Sequence, residues 1–260
     1  MAYVVALAAV LGACLGSFAN VVIHRVPAGQ SIVRPPSACP SCGSRIKAQH
    51  NIPIVGWLWL RGRCANCKAS ISPRYIAIET LCAAAFAGVV AWRGLTWEAL
   101  LLLVAVIFTV VLSAIDFATM RLPNRVLLAF AVSSLLVALA SALVRNDWSS
   151  VSRALIGAVV LLAVYFLAFL AYPRGLGFGD VKLAPILGLA LAYFGWGPLV
   201  VGGFAAFLWG AVVGLVLGAS RGSGLKTRIP FGPWMFAGAW TGVLAGEPLW
   251  SWYLGVMGVV

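Results

Sequence analysis

The chain has 260 residues, of which 63% are hydrophobic and only 9% are charged, whereas roughly a quarter of the residues in an ordinary soluble domain are charged. This composition excludes a water-soluble globule, because too little polar sequence exists to cover its surface, and it indicates a polytopic membrane protein. The net charge of +12 would suit nucleic acid, but the basic residues lie in loops between apolar segments. There they set topology and contact lipid headgroups, so we expect membrane lipid as a partner and no nucleic acid.

Eight apolar segments, give or take one, are predicted to cross the bilayer as helices, since each span needs about 20 residues. The expected fold is therefore an all-α polytopic membrane protein. The first segment is expected to be retained, because it has neither a basic start nor a convincing cleavage site. The six runs of suitable length are 1–23, 75–92, 99–115, 126–144, 154–172 and 199–219. A short seventh run covers 183–194, and an eighth follows Trp234 with an uncertain end at Gly246-Glu247-Pro248.

Loop charge predicts which side of the membrane each loop occupies. If the loop after the first span is cytoplasmic, the inside segments carry 15 of the 18 Lys and Arg residues, and both termini lie outside. We expect residues 1–92 to form a region with two spans and the polar loop 24–74, and residues 93–260 to form a six-span region. The predicted inside segments are 24–74, 116–125, 173–182 and 220–233.

The cytoplasmic loop contains two Cys-x-x-Cys pairs with 21 residues between them. Together the pairs can supply four thiolates to one tetrahedral zinc ion, and a loop too small for its own core gains folding energy from the metal. A single pair would suggest a redox motif, and disulfides are disfavoured on the reducing side of the membrane. Four thiolates leave no open position, so the zinc is expected to be structural. The predicted ligands are Cys39, Cys42, Cys64 and Cys67.

Two of the six acidic residues, Asp116 and Asp180, lie where apolar runs meet basic loops, and the predicted topology places both at the cytoplasmic face. A carboxylate beside hydrocarbon is costly, so it indicates a functional site. When two carboxyls share a site, one keeps its proton. The ionised one can then take a proton from water while the other donates to a peptide carbonyl. Gly177 and Gly179 would let an extended substrate approach the backbone beside Asp180.

From the residues alone, three functions stay open. The paired aspartates suit an intramembrane protease, and they also suit a proton-coupled transporter whose cytoplasmic loop is stabilised by zinc. The aspartates could also be structural, as buried ion pairs with Lys182 or Arg121. The third function is a non-enzymatic assembly scaffold, in which both aspartates would tolerate replacement by Asn.

Several short motifs, taken together and in this order, resemble the type IV prepilin peptidases, a family of bifunctional leader peptidases and N-methyltransferases. Each motif is modest alone, but the set runs through almost the whole chain. The matching segments are 16–25, the two Cys-x-x-Cys pairs, 51–54, 71–75 with Glu79, 116–124, 177–182 and 229–233.

The resemblance implies an aspartic, metal-independent endopeptidase of the bacterial cytoplasmic membrane. Such enzymes cut the basic leader from prepilins or pseudopilins after a glycine, at the cytoplasmic face, and then methylate the new N-terminus with S-adenosylmethionine. It also implies that Asp116 and Asp180 are the catalytic pair and that the four loop cysteines bind zinc. No glycine-rich nucleotide fingerprint locates the S-adenosylmethionine site. The candidates that the resemblance places near methyl transfer are Asn20, His24, Arg25 and Glu79.

Overall fold

The computed structural model describes residues 1–173, 175–220 and 229–258, and most of this part of the chain is helical. It contains eight helices of 17 or more residues and, in the first loop, one short α-helix and a 3₁₀ helix at Ala48–Asn51. The helices are α1 (Ala2–Arg25), α2 (Val55–Trp59), α3 (Pro73–Arg93), α4 (Trp97–Thr119), α5 (Asn124–Arg145), α6 (Ser149–Ala171), α7 (Phe178–Phe194), α8 (Trp196–Ser220) and α9 (Gly232–Val256). The chain divides into two compact units, residues 1–111 and 112–260, with the division inside α4.

Six of these helices are long and apolar enough to cross a membrane, namely α1, α3, α4, α5, α6 and α8. Helix α7 has only 17 residues, and α9 continues through the predicted interruption at Gly246-Glu247-Pro248 to Val256. The expected all-α polytopic fold is confirmed. It follows from the sequence because a chain in hydrocarbon must satisfy its own backbone hydrogen bonds, which a helix does. Four of the basic residues used in the charge count, Arg174, Arg221, Lys226 and Arg228, lie outside the described residues.

Helix ends follow local sequence signals. Helix α3 begins at Pro73 behind Ser72, whose hydroxyl accepts the Arg74 N–H, and a proline at the first helical position has no N–H to leave unpaired. Helix α4 extends through Asp116, which the apolar run had placed at its end, and stops at Thr119. Met120 then turns the backbone into the left-handed region, with φ of 51°. Asp116 therefore lies in the last turn of a helix.

In the first unit, α1 packs against α3 along small residues. A side chain at Gly12 would lie 2.5 Å from the Cys82 carbonyl oxygen, and one at Gly16 would lie 2.9 Å from the Glu79 Cα. Small residues let membrane helices approach until their backbones touch, which gains van der Waals contact that lipid cannot supply. This contact brings Glu79 against α1.

In the second unit, α7 is the central helix, and it packs against α5, α6, α8 and α9. Its contact with α6 is backbone to backbone, because a Cβ at Gly188 would lie 2.3 Å from the Gly157 carbonyl oxygen. Most of α7 is buried, including its third residue, Asp180. A carboxyl group is therefore held inside the bundle at the start of this helix.

Candidate active site and metal centre

Asp116 projects from the last turn of α4, and only 4% of its surface is exposed. Its Oδ2 accepts a hydrogen bond of 3.1 Å from the backbone N–H of Gly232. Gly232 is the first residue of α9, where helix geometry leaves backbone N–H groups without partners. The helix terminus thus supplies a hydrogen-bond donor to the buried carboxyl, and the carboxyl supplies an acceptor to an otherwise unpaired N–H group.

Asp180 is the third residue of α7, and 6% of its surface is exposed. Its Oδ2 accepts a hydrogen bond of 3.0 Å from the N–H of Gly177, the residue just before the helix. This is a local contact within Gly177-Phe178-Gly179-Asp180. Each aspartate therefore faces the N-terminus of a helix, the end at which the backbone dipoles favour negative charge.

The structure brings the two predicted aspartates into one site. They lie close enough for their carboxyl groups to interact electrostatically. Leu122 lies between the glycine beside Asp180 and the glycine that binds Asp116. A Cβ at Gly179 would lie 3.3 Å from the Leu122 Cβ, and one at Gly232 would lie 3.5 Å from the Leu122 Cδ1. Lys182, a possible ion-pair partner by sequence, donates to the Asn124 side chain at 3.0 Å.

Aromatic side chains line the neighbourhood of the pair. Tyr165 of α6 is 1% exposed and interacts electrostatically with Asp180. Its ring stacks on Phe207 of α8 at 5.0 Å and lies 6.3 Å from the ring of Phe231, the residue before Gly232. The sequence analysis assigned no role to Tyr165 or Gly232. Their contact with the site depends on the packing of distant helices, although Gly232 belongs to a segment that the family resemblance had singled out.

A second buried polar cluster lies in the first unit. The Glu79 Oε2 accepts a hydrogen bond of 2.7 Å from the Ile54 N–H, and the Asn20 Nδ2 donates to the Tyr75 carbonyl at 3.1 Å. Of the four residues expected near methyl transfer, these two are buried. His24 is exposed, and Arg25 donates to the Ser31 carbonyl at 3.1 Å.

Glu79 holds an unusual turn. Ile54 has φ of 64° and ψ of −56°, and the Val55 N–H donates to the Pro53 carbonyl at 2.6 Å, which together form a classic γ-turn. This turn is strained for a β-branched residue, so it persists only where surrounding contacts impose it. The buried carboxyl of α3 supplies such a contact and fixes the loop to the helix.

The four loop cysteines converge as predicted. Their sulfur atoms all lie within 4.8 Å of one another, so this group could hold a metal ion. The Sγ atoms of Cys39 and Cys67, one from each pair, are 3.8 Å apart.

The two Cys-x-x-Cys segments fold as matching turns. In the first, the Cys39 N–H donates to the Ser44 carbonyl and the Gly43 N–H to the Cys39 carbonyl, both at 2.9 Å. In the second, the Cys64 N–H donates to the Ala69 carbonyl at 2.8 Å, and the Lys68 N–H donates to the Cys64 carbonyl at 3.1 Å. The residue after each second cysteine is left-handed, with φ of 69° at Gly43 and 61° at Lys68.

Hydrogen bonding within these turns favours the thiolate, the form that binds metal, at Cys42 and Cys64. The Ser44 side chain and backbone lower the pKa of the Cys42 thiol to about 6. The backbone of Cys67 and then that of Asn66 lower the pKa of the Cys64 thiol. At Cys67 the backbone of Ala69 lowers the thiol pKa, but hydrogen bonding with Cys42, burial and the other two cysteines together raise it to about 11.

Comparison with known proteins gives consistent matches along the chain. The model of the bacterial peptidase A24 N-terminal domain matches residues 10–93, and that of the type IV leader peptidase family matches residues 103–218. A prepilin leader peptidase/N-methyltransferase of Pseudomonas putida is 35% identical, with 99% of this chain and 96% of that protein covered. Proteins of the same name from Stutzerimonas stutzeri and Neisseria gonorrhoeae are each 34% identical, and cover 95% and 97% of this chain and 92% and 95% of their own lengths. No solved structure matches the chain.

Proposed function

This chain belongs to the type IV leader peptidase family, and we propose that it is a membrane endopeptidase that removes the leader of prepilins or pseudopilins, with Asp116 and Asp180 as its catalytic pair. One observation carries the assignment of the pair. Two buried carboxyl groups, 64 residues apart in the chain, interact electrostatically beside Gly177 and Gly179. A pair of this kind performs acid–base chemistry on water and a peptide bond.

In the proposed reaction, the ionised carboxyl takes a proton from a water molecule as the water oxygen bonds to the scissile carbonyl carbon. The protonated carboxyl donates its proton to the carbonyl oxygen. As the tetrahedral intermediate collapses, one of its hydroxyl groups returns a proton to the carboxylate that had donated one, and the C–N bond breaks. The leaving amine takes up the proton that was removed from water, so both carboxyls end in their starting states. The N–H groups of Gly232 and Gly177 hold one oxygen of each aspartate, which leaves the other oxygens for water and substrate.

We propose that cleavage occurs after a glycine at the cytoplasmic face. The concentration of basic residues in the predicted inside segments supports this side of the membrane. A substrate with a basic leader inside and an apolar segment in the bilayer would present its scissile bond at that depth. The missing side chains of Gly177 and Gly179 make room for the site itself, since a Cβ at Gly177 would lie 3.1 Å from the Asp180 Oδ2 and one at Gly179 would lie 3.3 Å from the Leu122 Cβ. The expected role of these glycines in the approach of an extended substrate does not follow from their surroundings.

We propose that the cysteine cluster binds one structural zinc ion. Four sulfurs at about 2.3 Å from a tetrahedrally coordinated zinc ion lie about 3.8 Å from one another, and the Cys39 and Cys67 sulfurs are 3.8 Å apart. The donor set therefore fits zinc. Bound there, the metal would supply folding energy to a loop that has little hydrophobic core of its own.

We also propose that the first unit takes part in methyl transfer to the new N-terminus, with S-adenosylmethionine as the methyl donor. The names of the related proteins support this activity, and the buried Asn20 and Glu79 supply a polar region between two apolar helices. Incubation of the purified protein with labelled S-adenosylmethionine and cleaved pilin tests the proposal, and absence of label from the pilin would restrict the function to proteolysis.

The peptidase proposal is tested with reconstituted protein and a prepilin substrate. Asp116→Asn and Asp180→Asn are each expected to abolish leader cleavage, because an amide can neither take a proton from water nor supply the acid. Asp147→Asn is the matched control, since Asp147 is exposed and bonds to Ser149 at a helix start, and it should cleave normally. Near-normal cleavage by either site variant would refute the pair, and aspartate-dependent proton flux without cleavage would favour the transporter.

A further inference from the structure

We propose that Gly232 is a positioning residue of the peptidase site, which orients Asp116 through its N–H and through the space left by its missing side chain. The catalytic consequence depends on the proposed function, whereas the contact with Asp116 does not. The segment 229–233, which contains Gly232, is one of those that carry the family resemblance, and the proposed reaction uses only the N–H of this residue.

The hydrogen bond joins two parts of the chain that are 116 residues apart. Asp116 is 4% exposed, so bulk water has little access to its carboxyl and the protein must supply hydrogen-bond partners. The N–H of Gly232 is one of the unpaired donors at the start of α9, a helix of 25 residues, and it lies at the positive end of the helix dipole. The contact therefore fixes one oxygen of the carboxyl in a defined direction.

The position also leaves no room for a side chain while the Asp116 carboxyl keeps its orientation. A Cβ on Gly232 would lie 2.8 Å from the Asp116 Oδ2 and 3.5 Å from its Cγ, so two of its three nearest neighbours belong to this one carboxyl. Real Cβ atoms essentially never come so close to an oxygen. Asp116 has a short side chain on the last turn of a helix, so its carboxyl would have to rotate or α9 would have to move.

The two aspartates are held in different ways. Asp180 is held by Gly177, three residues earlier, so its orientation is set within one turn of the chain. Asp116 depends on the placement of α9, and the residue before Gly232, Phe231, packs against the rings of Tyr165 and Phe207. The aromatic cluster thus places the start of α9, and the start of α9 places Asp116.

The test compares Gly232→Ala with Gly255→Ala, a control on the same helix where a Cβ would have nothing within 4 Å. In the reconstituted cleavage assay, Gly232→Ala should lower kcat about tenfold or more and leave KM near the wild-type value. A sub-ångström displacement of a reacting group costs rate, while the substrate-binding contacts stay in place. Gly255→Ala should match the wild type in both constants.

A thermal-unfolding cycle provides a measurement that needs no activity. Gly232→Ala should lower Tm in the wild-type background and lower it much less in an Asp116→Ala background, because the crowded carboxyl is then absent. If the wild-type protein did not cleave the leader, the proposed function would be wrong, but this thermal-unfolding cycle would still test the contact between Gly232 and Asp116. The proposal is overturned if Gly232→Ala cleaves at the wild-type rate, or if its Tm loss is the same in both backgrounds. If Gly232→Ala alone does not fold, recovery of folded protein in the double variant supports the proposal, and no recovery overturns it.

Discussion

Gly43 offers a quantitative test of the metal centre. Its φ of 69° is in the left-handed region, and a Cβ built there would meet nothing within 4 Å. The substitution Gly43→Ala therefore adds backbone strain without a steric clash. The left-handed conformation costs a residue with a side chain about 1–2 kcal/mol. Because metal binding and folding of such a loop are coupled, this cost should appear in the affinity for zinc.

The expected result is a loss of about 5-fold to 30-fold in zinc affinity, since about 1.4 kcal/mol corresponds to a factor of ten. Zinc competition between purified protein and a chromogenic chelator measures it. Gly29→Ala is the matched control, because Gly29 has φ of 68° and equally open surroundings but lies outside both cysteine turns. An unchanged zinc affinity for Gly43→Ala, or an equal loss for Gly29→Ala, would refute the reasoning.

Two further predictions concern the first unit. Removal of the metal by a strong chelator should make the cysteine loop sensitive to protease and leave leader cleavage intact. Cleavage should persist because both aspartates and the N–H groups that hold them lie in the second unit. Loss of cleavage in step with metal release would contradict this prediction. Glu79→Ala should lower the stability of the loop by about 1–3 kcal/mol, because the Ile54 N–H loses its acceptor and the strained turn loses its support. Limited proteolysis between residues 50 and 60 measures that effect, and an unchanged cutting rate would show that the contact is unimportant.

The positions of the helices were largely predictable from the sequence. The predicted span 75–92 corresponds to the helix Pro73–Arg93, and the predicted span 126–144 corresponds to the helix Asn124–Arg145. The predicted and observed bounds agree closely because a long apolar segment in lipid pairs its backbone N–H and C=O groups by forming a helix. Prolines and polar residues then mark the ends of each helix. The convergence of the four cysteines was equally predictable, since paired Cys-x-x-Cys spacing carries most of the geometry of a metal site.

The contacts that orient the site were not predictable in this way. Nothing local in the sequence states that the Gly232 N–H meets Asp116 or that the Glu79 carboxyl meets the Ile54 N–H. Such hydrogen bonds depend on which helices pack together and at what height. Packing of membrane helices is in turn decided by close backbone approach at small residues, and the period of the apolar pattern does not encode it.

The sequence by itself determined that this protein is helical, lies in a membrane, carries a four-cysteine cluster and has two aspartates at the ends of apolar runs. These properties follow from composition and short-range spacing, because the preference of each segment for lipid or water depends on its own residues. Only the tertiary structure decided that the two carboxyls lie within range of electrostatic interaction, and that each is held by the N-terminus of a helix, one local and one distant. The physical reason is that a catalytic geometry depends on the distances between elements, and packing alone sets those distances.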